Sequence, residues 1–214
     1  MRIEGGVMIV NVRRLVVTAI FIALALGLKF ALIILPNVEP LTVTFFLAGY
    51  MLGPLSGLIT GGIGEFLYSF FNPYGAASPP LLMAQVLCMS LSGLAGGWVR
   101  RLSSKRTPPA WLWGVIGFFL TLIFDLATTV SEVFIVKLGL AGFLSRLAFG
   151  SYFYAIHLST NTVLFAVLLP VLIPRLQSLT VFRNLPRAQA LSDRDHSTRA
   201  AAADTARFQS ESAS

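Results

Sequence analysis

Residues 41–71 read LTVTFFLAGYMLGPLSGLITGGIGEFLYSFF, apolar from end to end except for one glutamate, Glu65, and interrupted once, at Gly53-Pro54. Taken as one helix, the stretch is a single long membrane span. Taken as two, Leu41–Leu52 and Leu55–Phe71, it adds a pass, and every later segment changes side. The first half is short, about 18 Å if helical, so length alone does not decide.

The charges around it do. The other apolar runs are Leu15–Leu35, Leu81–Val99, Trp111–Val136 and Phe149–Ile173, each close to the roughly 20 residues a helical span needs. Of the 16 Lys and Arg residues, ten lie in Arg100, Arg101, Lys105 and Arg106 or in the tail from Arg175 to Arg207, and Arg13-Arg14 precede the first run. Five passes would put the last two basic segments outside, whereas six put all three inside, as basic residues flanking membrane helices require. The expectation is an all-α integral membrane six-helix bundle with cytoplasmic N and C termini. Gly53-Pro54 is then a tight cytoplasmic turn, with proline at a helix start where it costs no hydrogen bond.

Composition agrees. The 214 residues are 56% hydrophobic and 12% charged, with a mean hydropathy of +0.78, outside the range of a soluble domain. The net charge of +7 follows from the cytoplasmic flanks rather than from a nucleic-acid partner. The first run is too long for the apolar core of a signal peptide and lacks a small-residue processing site, so it is expected to stay as a helix. A single cysteine, Cys88, excludes an intrachain disulfide and a multi-cysteine metal site. The expected organisation is a membrane domain over 1–187 and a polar, small-residue-rich cytoplasmic tail over 188–214 that has too little apolar surface to fold alone. Outward loops are expected at Pro36–Pro40, Asn72–Pro80 and Lys137–Ala148.

An ionised side chain within a span is costly and is by default a functional suspect. Glu65 lies about 15 Å into its helix, and Tyr68 and Asn72 share its face at i+3 and i+7. Asp125, Thr128 or Thr129, and Glu132 repeat the spacing on helix five; Tyr154, His157 and Asn161 do so on helix six; Gln85 lies near the outer end of helix four. The polar groups thus gather in the outer half while the inner halves are apolar. A channel would be polar throughout, so this pattern suggests a pocket open outward and closed below. Its acidic bias suits a cationic or donor-rich ligand, although Lys29 and Arg146 can neutralise two carboxylates. The bland reading is helix-to-helix hydrogen bonding, worth about 1 kcal/mol or less; it fits Thr128, Thr129 and Tyr154 best, and a Glu65–His157 or Asp125–Lys29 structural pair stays open.

The sequence has no phosphate-binding G-x-x-x-x-G-K-[ST] loop, no G-x-S-x-G elbow and no H-E-x-x-H motif. No enzymatic activity, cofactor or metal is expected. Ala19 and Ala23 place small residues four apart near the inner end of helix one, which lets another helix approach closely.

RRLVVTAIFIA (13–23), GYMLGPLSGLITGGIGEFLYSFF (49–71), GLAGGWVRR (93–101), FDLATT (124–129) and HLSTNTVLF (157–165) together resemble the substrate-binding S components of energy-coupling factor (ECF) vitamin transporters. The resemblance spans about residues 12–176. It implies a six-helix bundle in the cell membrane, with an outward-facing vitamin site, that works with a transmembrane coupling subunit and two ATPase subunits and topples in the bilayer. It also implies that Ala19 and Ala23 dock on the coupling subunit. Asn37, Glu39, Glu65, Tyr68, Asn72, Gln85, Asp125, Thr129, Glu132, His157 and Asn161 are expected to bind substrate, from their location rather than from a vitamin signature. The competing readings are a structural subunit resembling the cell-shape protein MreD and a secondary transporter of a small solute.

Overall fold

The computed structural model describes residues 12–35, 37–103, 108–136 and 139–183, and all regular structure among them is helical. The elements are α1 (Val12–Ala31), α2 (Pro40–Leu52), α3 (Pro54–Phe70), α4 (Pro79–Leu102), α5 (Ala110–Val136), α6 (Leu140–Ser178) and a last turn α7 (Thr180–Arg183). The expected tail and its boundary at residue 187 lie outside the described residues, as do Pro36, Lys105, Arg106 and Lys137. By length and composition, Val12–Ala31, Pro79–Leu102, Ala110–Val133 and Leu140–Ser178 can cross a membrane, and α2 is a shorter apolar helix.

The stretch 41–71 does break into two helices. Gly53 has φ 100 and donates its N–H to Gly49 O at 2.7 Å; only glycine enters that region without strain. Pro54 then opens α3 with its fixed φ and no wasted donor. Pro40 and Pro79 open α2 and α4 in the same way. At the end of the α2 backbone, the Arg100 guanidinium stands 5.3 Å from the Tyr50 ring centroid and reaches Tyr50 O at 3.5 Å. A cation there complements the free carbonyls of the helix terminus.

Helix α2 is the centre of the bundle. Of its 13 residues only Met51 is not buried, and α1, α3, α4, α5 and α6 all pack against it. A helix apolar on all sides needs that enclosure. The glycines explain how α2, α3 and α4 fit together. A Cβ on Gly93 would stand 2.0 Å from Gly57 O, and one on Gly49 would stand 1.8 Å from Gly93 O. These backbones therefore touch, which is the use membrane bundles make of small residues.

Two boundaries differ from the sequence expectation. Helix α6 begins at Leu140 rather than Phe149, so most of the expected loop 137–148 is helical. Its run of Leu and Ala favours helix, Ser145 Oγ donates to Ala141 O at 2.9 Å, and Arg146 is held by an ion pair to Glu132. Helix α1 ends at Ala31, and residues 32–35 continue as turns. Asn37 follows in the left-handed region, φ 56, and turns the chain toward α2.

Candidate functional site

The end of the bundle opposite Arg13, Arg14, Arg100, Arg101 and Arg175 holds a chain of buried charges drawn from four segments. Lys29, in the last turn of α1, places Nζ 2.8 Å from Glu39 Oε1. Glu39 lies in the loop before α2, with its other oxygen 3.1 Å from His157 Nε2 on α6; the two are close but not aligned as a hydrogen bond. His157 Nδ1 meets Asp125 Oδ1 on α5 at 2.7 Å. Glu39, Asp125 and His157 are all at least nine-tenths buried. Burial opposes charge on Glu39, but the Lys29 ammonium and the neighbouring His157 outweigh it and hold the carboxyl well below the usual range.

The loop 37–39 straps across this end. Asn37 Nδ2 donates to Phe153 O at 2.7 Å, 116 residues away on α6, so the loop is tied to α6 by Asn37 as well as by Glu39. The Lys29 ammonium also stands 5.3 Å from the ring centroid of Tyr68, a cation–π distance. That contact joins the α3 face carrying Glu65 to the charge chain. Glu65 itself is 1% exposed; Oε1 accepts from Ser69 Oγ at 2.8 Å, and Oε2 has no partner.

Helices α5 and α6 run antiparallel in a register that fixes what lies beneath. Thr129 Oγ1 and Tyr154 Oη are 2.6 Å apart, Asp125 meets His157, and Gly117 lies against the Phe165 ring. Thr121 and Asn161, each four residues toward the basic end from Asp125 and His157, therefore occupy the next level. Below them Phe46 contacts both Phe165 and Trp113, at centroid separations of 5.2 and 6.0 Å, and Tyr50 contacts Trp113 at 5.7 Å. This aromatic stack closes the interior toward the basic end.

The expected site residues thus separate. Glu39, Asp125 and His157 are brought into direct contact, and Thr129 bonds Asp125 O and Tyr154 beside them. Glu132 sits further out and half exposed, paired with Arg146. Asn72 lies beyond α3, and its Oδ1 accepts the Tyr74 N–H at 2.9 Å in a local turn. Gln85 keeps Oε1 buried without a partner. Neither open structural pair forms: Lys29 takes Glu39, which the short α1–α2 connection brings to it, and Glu65 bonds Ser69. Lys29 is a hub, pairing with Glu39 and lying over the Tyr68 ring, and not only a neutraliser; a lysine within an apolar helix is its signal in the sequence.

On α1, Val17, Thr18, Phe21 and Ala25 face the bundle, whereas Ala19 and Ala23 are exposed, flanked by exposed Val16, Ile20, Leu24 and Leu28. Among the described residues no group of three or more His, Cys, Asp and Glu could hold a metal ion.

Neither curated proteins nor solved structures gave a match. A family model described as "ECF transporter, substrate-specific component" matches residues 13–177, a range that contains every buried charge above and both exposed alanines. The chain therefore belongs to the family of substrate-specific components of ECF transporters, which are transporter subunits and not enzymes.

Proposed function

We propose that this protein captures a vitamin or related small micronutrient from outside the cell and hands it to a transmembrane coupling subunit driven by two ATPase subunits. The observation that carries this reading is the pairing of two surfaces on one short bundle. Most buried polar groups with unused hydrogen-bonding atoms lie toward one end, Trp113 Nε1 excepted, and an apolar face of α1 that includes Ala19 and Ala23 points away from the bundle. In this reading α1–α6 form the six passes through the cell membrane with both termini inside, α2 being the shortest, which puts the charge chain at the outer face and the basic residues at the inner.

The site residues are Asn37, Glu39, Glu65, Tyr68, Asn72, Gln85, Asp125, Thr129, Glu132, His157 and Asn161, with Glu39, Asp125 and His157 at its centre. The central charges neutralise one another, so a ligand enters by replacing one of those contacts. Glu65 Oε2, Gln85 Oε1 and Asp125 Oδ2 are buried acceptors with no partner, an excess that favours a donor-rich or cationic ring. Glu65 belongs to this acceptor set as well as to helix α3's own hydrogen bonding.

Ala19 and Ala23 dock the coupling subunit, because two small residues four apart allow close approach of another helix along that strip, with the exposed Val16, Ile20, Leu24 and Leu28 beside it. Replacing Ala23 with Trp tests the division of labour. Uptake and co-purification of the coupling subunit should be lost while the isolated subunit keeps its ligand affinity. Equal loss of ligand binding would make the alanine face part of the bundle's own packing and would contradict the assignment.

A further inference from the structure

The buried hydroxyls of this bundle are mostly satisfied by local bonds, although Glu65, Gln85, Trp113, Asp125 and His157 each keep one buried polar atom without a hydrogen-bond partner. Thr44, Thr60, Ser92 and Thr129 each donate to the backbone carbonyl four residues earlier, and Ser69 donates to Glu65. Thr121 and Asn161 depart from that pattern. Both are 0% exposed, yet Thr121 Oγ1, Asn161 Nδ2 and Asn161 Oδ1 have no hydrogen-bond partner. Thr121 forgoes the backward bond that Thr128 and Thr129 make on the same helix. A buried polar group in a native protein calls for an explanation when it stands alone, and here two stand together at one level.

Their position supplies one. They lie one helical turn beneath Asp125 and His157 and above the Phe46–Phe165–Trp113 stack, at the innermost polar level of the α5–α6 seam before the aromatic floor. A primary amide presents an N–H donor and a carbonyl acceptor in one plane, and a hydroxyl can be either. Asp125 Oδ2, one level further out, is an acceptor also without a partner. Read inward, the groups ask for a donor or positive charge first, and then for a planar edge that carries a donor beside an acceptor.

We infer that Asn161 and Thr121 form the specificity-determining floor of the binding site and recognise a planar donor–acceptor edge of the substrate, carboxamide-like or aminopyrimidine-like, whose donor-rich portion lies toward Asp125. This rests on the ligand-binding reading above and deepens it. A site built to hydrogen-bond such an edge rejects analogues without it strongly, because its own buried groups are then left unpaired. It also accounts for an amide without a protein partner: such a partner would compete with the ligand.

The test uses the full chain in nanodiscs and reads thermal unfolding against added probe. The probes are nicotinamide and 4-amino-2-methylpyrimidine, each beside an analogue without the donor, N,N-dimethylnicotinamide and 2-methylpyrimidine. At least one edge-bearing probe should raise the melting temperature where its analogue at the same concentration does not. Asn161→Leu and Thr121→Val should each weaken that probe's apparent affinity by at least about tenfold, the loss of roughly one buried hydrogen bond. Thr121→Val, nearly isosteric, carries the test if the leucine variant does not fold. Equal stabilisation by the analogue, no response to either edge-bearing probe, or unchanged affinity in both variants would overturn the inference. Asp125→Asn in the same titration separates the two levels. A loss there with none at Asn161 or Thr121 removes the floor and leaves the outer site standing, whereas binding that ignores all three removes both.

Discussion

Replacing Lys29 with Met removes the one ammonium in the buried charge chain and leaves nearly the same volume. The structure sets the size of the effect. Nζ and Glu39 Oε1 are 2.8 Å apart, with side chains only 12% and 11% exposed. At an effective permittivity of about 20 the gross attraction is about 6 kcal/mol, and desolvation of both ions offsets a large part of it. With Lys29 gone, Glu39 keeps only His157 at 3.1 Å in poor alignment, so the variant should lose about 3 kcal/mol, as expected when one partner of a buried pair is deleted. Glu39→Gln alone should cost less, because Lys29 retains the Tyr68 ring. The double variant should recover part of the loss, giving a coupling energy of about 2 kcal/mol. Unfolding of the four proteins in mixed micelles, titrated with a denaturing detergent, measures that cycle. Polar contacts between membrane helices average only about 0.6 kcal/mol; coupling at or below that level would mean that the Lys29–Glu39 pair is solvated and that the chain of charges does not close this end of the bundle.

Other substitutions probe different parts of the molecule. Gly93→Ala forces a methyl to within 2.0 Å of Gly57 O and should destabilise by about 3 kcal/mol or more, at the upper end of overpacking costs because backbone cannot swing aside. Gly27→Ala, with nothing within 4 Å, should instead be neutral or stabilise by up to about 1 kcal/mol; the same unfolding titration checks both, and equal effects would refute the close crossing. Asn161→Leu should stabilise the empty protein by about 1–3 kcal/mol, since an unsatisfied buried amide is replaced by a side chain of similar shape. A marked loss of stability in the empty state would mean that the amide already has a structural partner. Asp125→Asn should weaken binding of whatever ligand the protein carries from its host, by equilibrium titration, and unchanged affinity would return Asp125 to a structural role.

Much of this architecture was legible in the sequence because lipid imposes coarse rules. Apolar run length located α1–α5 to within a few residues, and Gly53-Pro54 announced the break between α2 and α3, since few other pairs combine a left-handed φ with a helix start. The first nine residues of α6 were not legible: Gly142, Ser145 and Arg146 read as loop, and only the Glu132 partner and the local Leu/Ala propensity make them helix. Helical spacing put Asp125, His157 and Asn161 on inward faces. It could not say which charge meets which, because pairing depends on helix adjacency. Lys29 meets Glu39 because the α1–α2 connection is short, not because either lies on a polar stripe. The orphaned state of Thr121 and Asn161 exists only in three dimensions, as the absence of bonds that their neighbours make.

Native mass spectrometry of the protein, gently extracted from its host membrane, tests the central claim most directly. The account predicts a bound molecule of vitamin size that is released on activation, together with a population carrying a coupling subunit and two ATPase subunits. An empty protein associated with cell-wall machinery, or a ligand-free chain that transports a solute alone on an ion gradient, would contradict it.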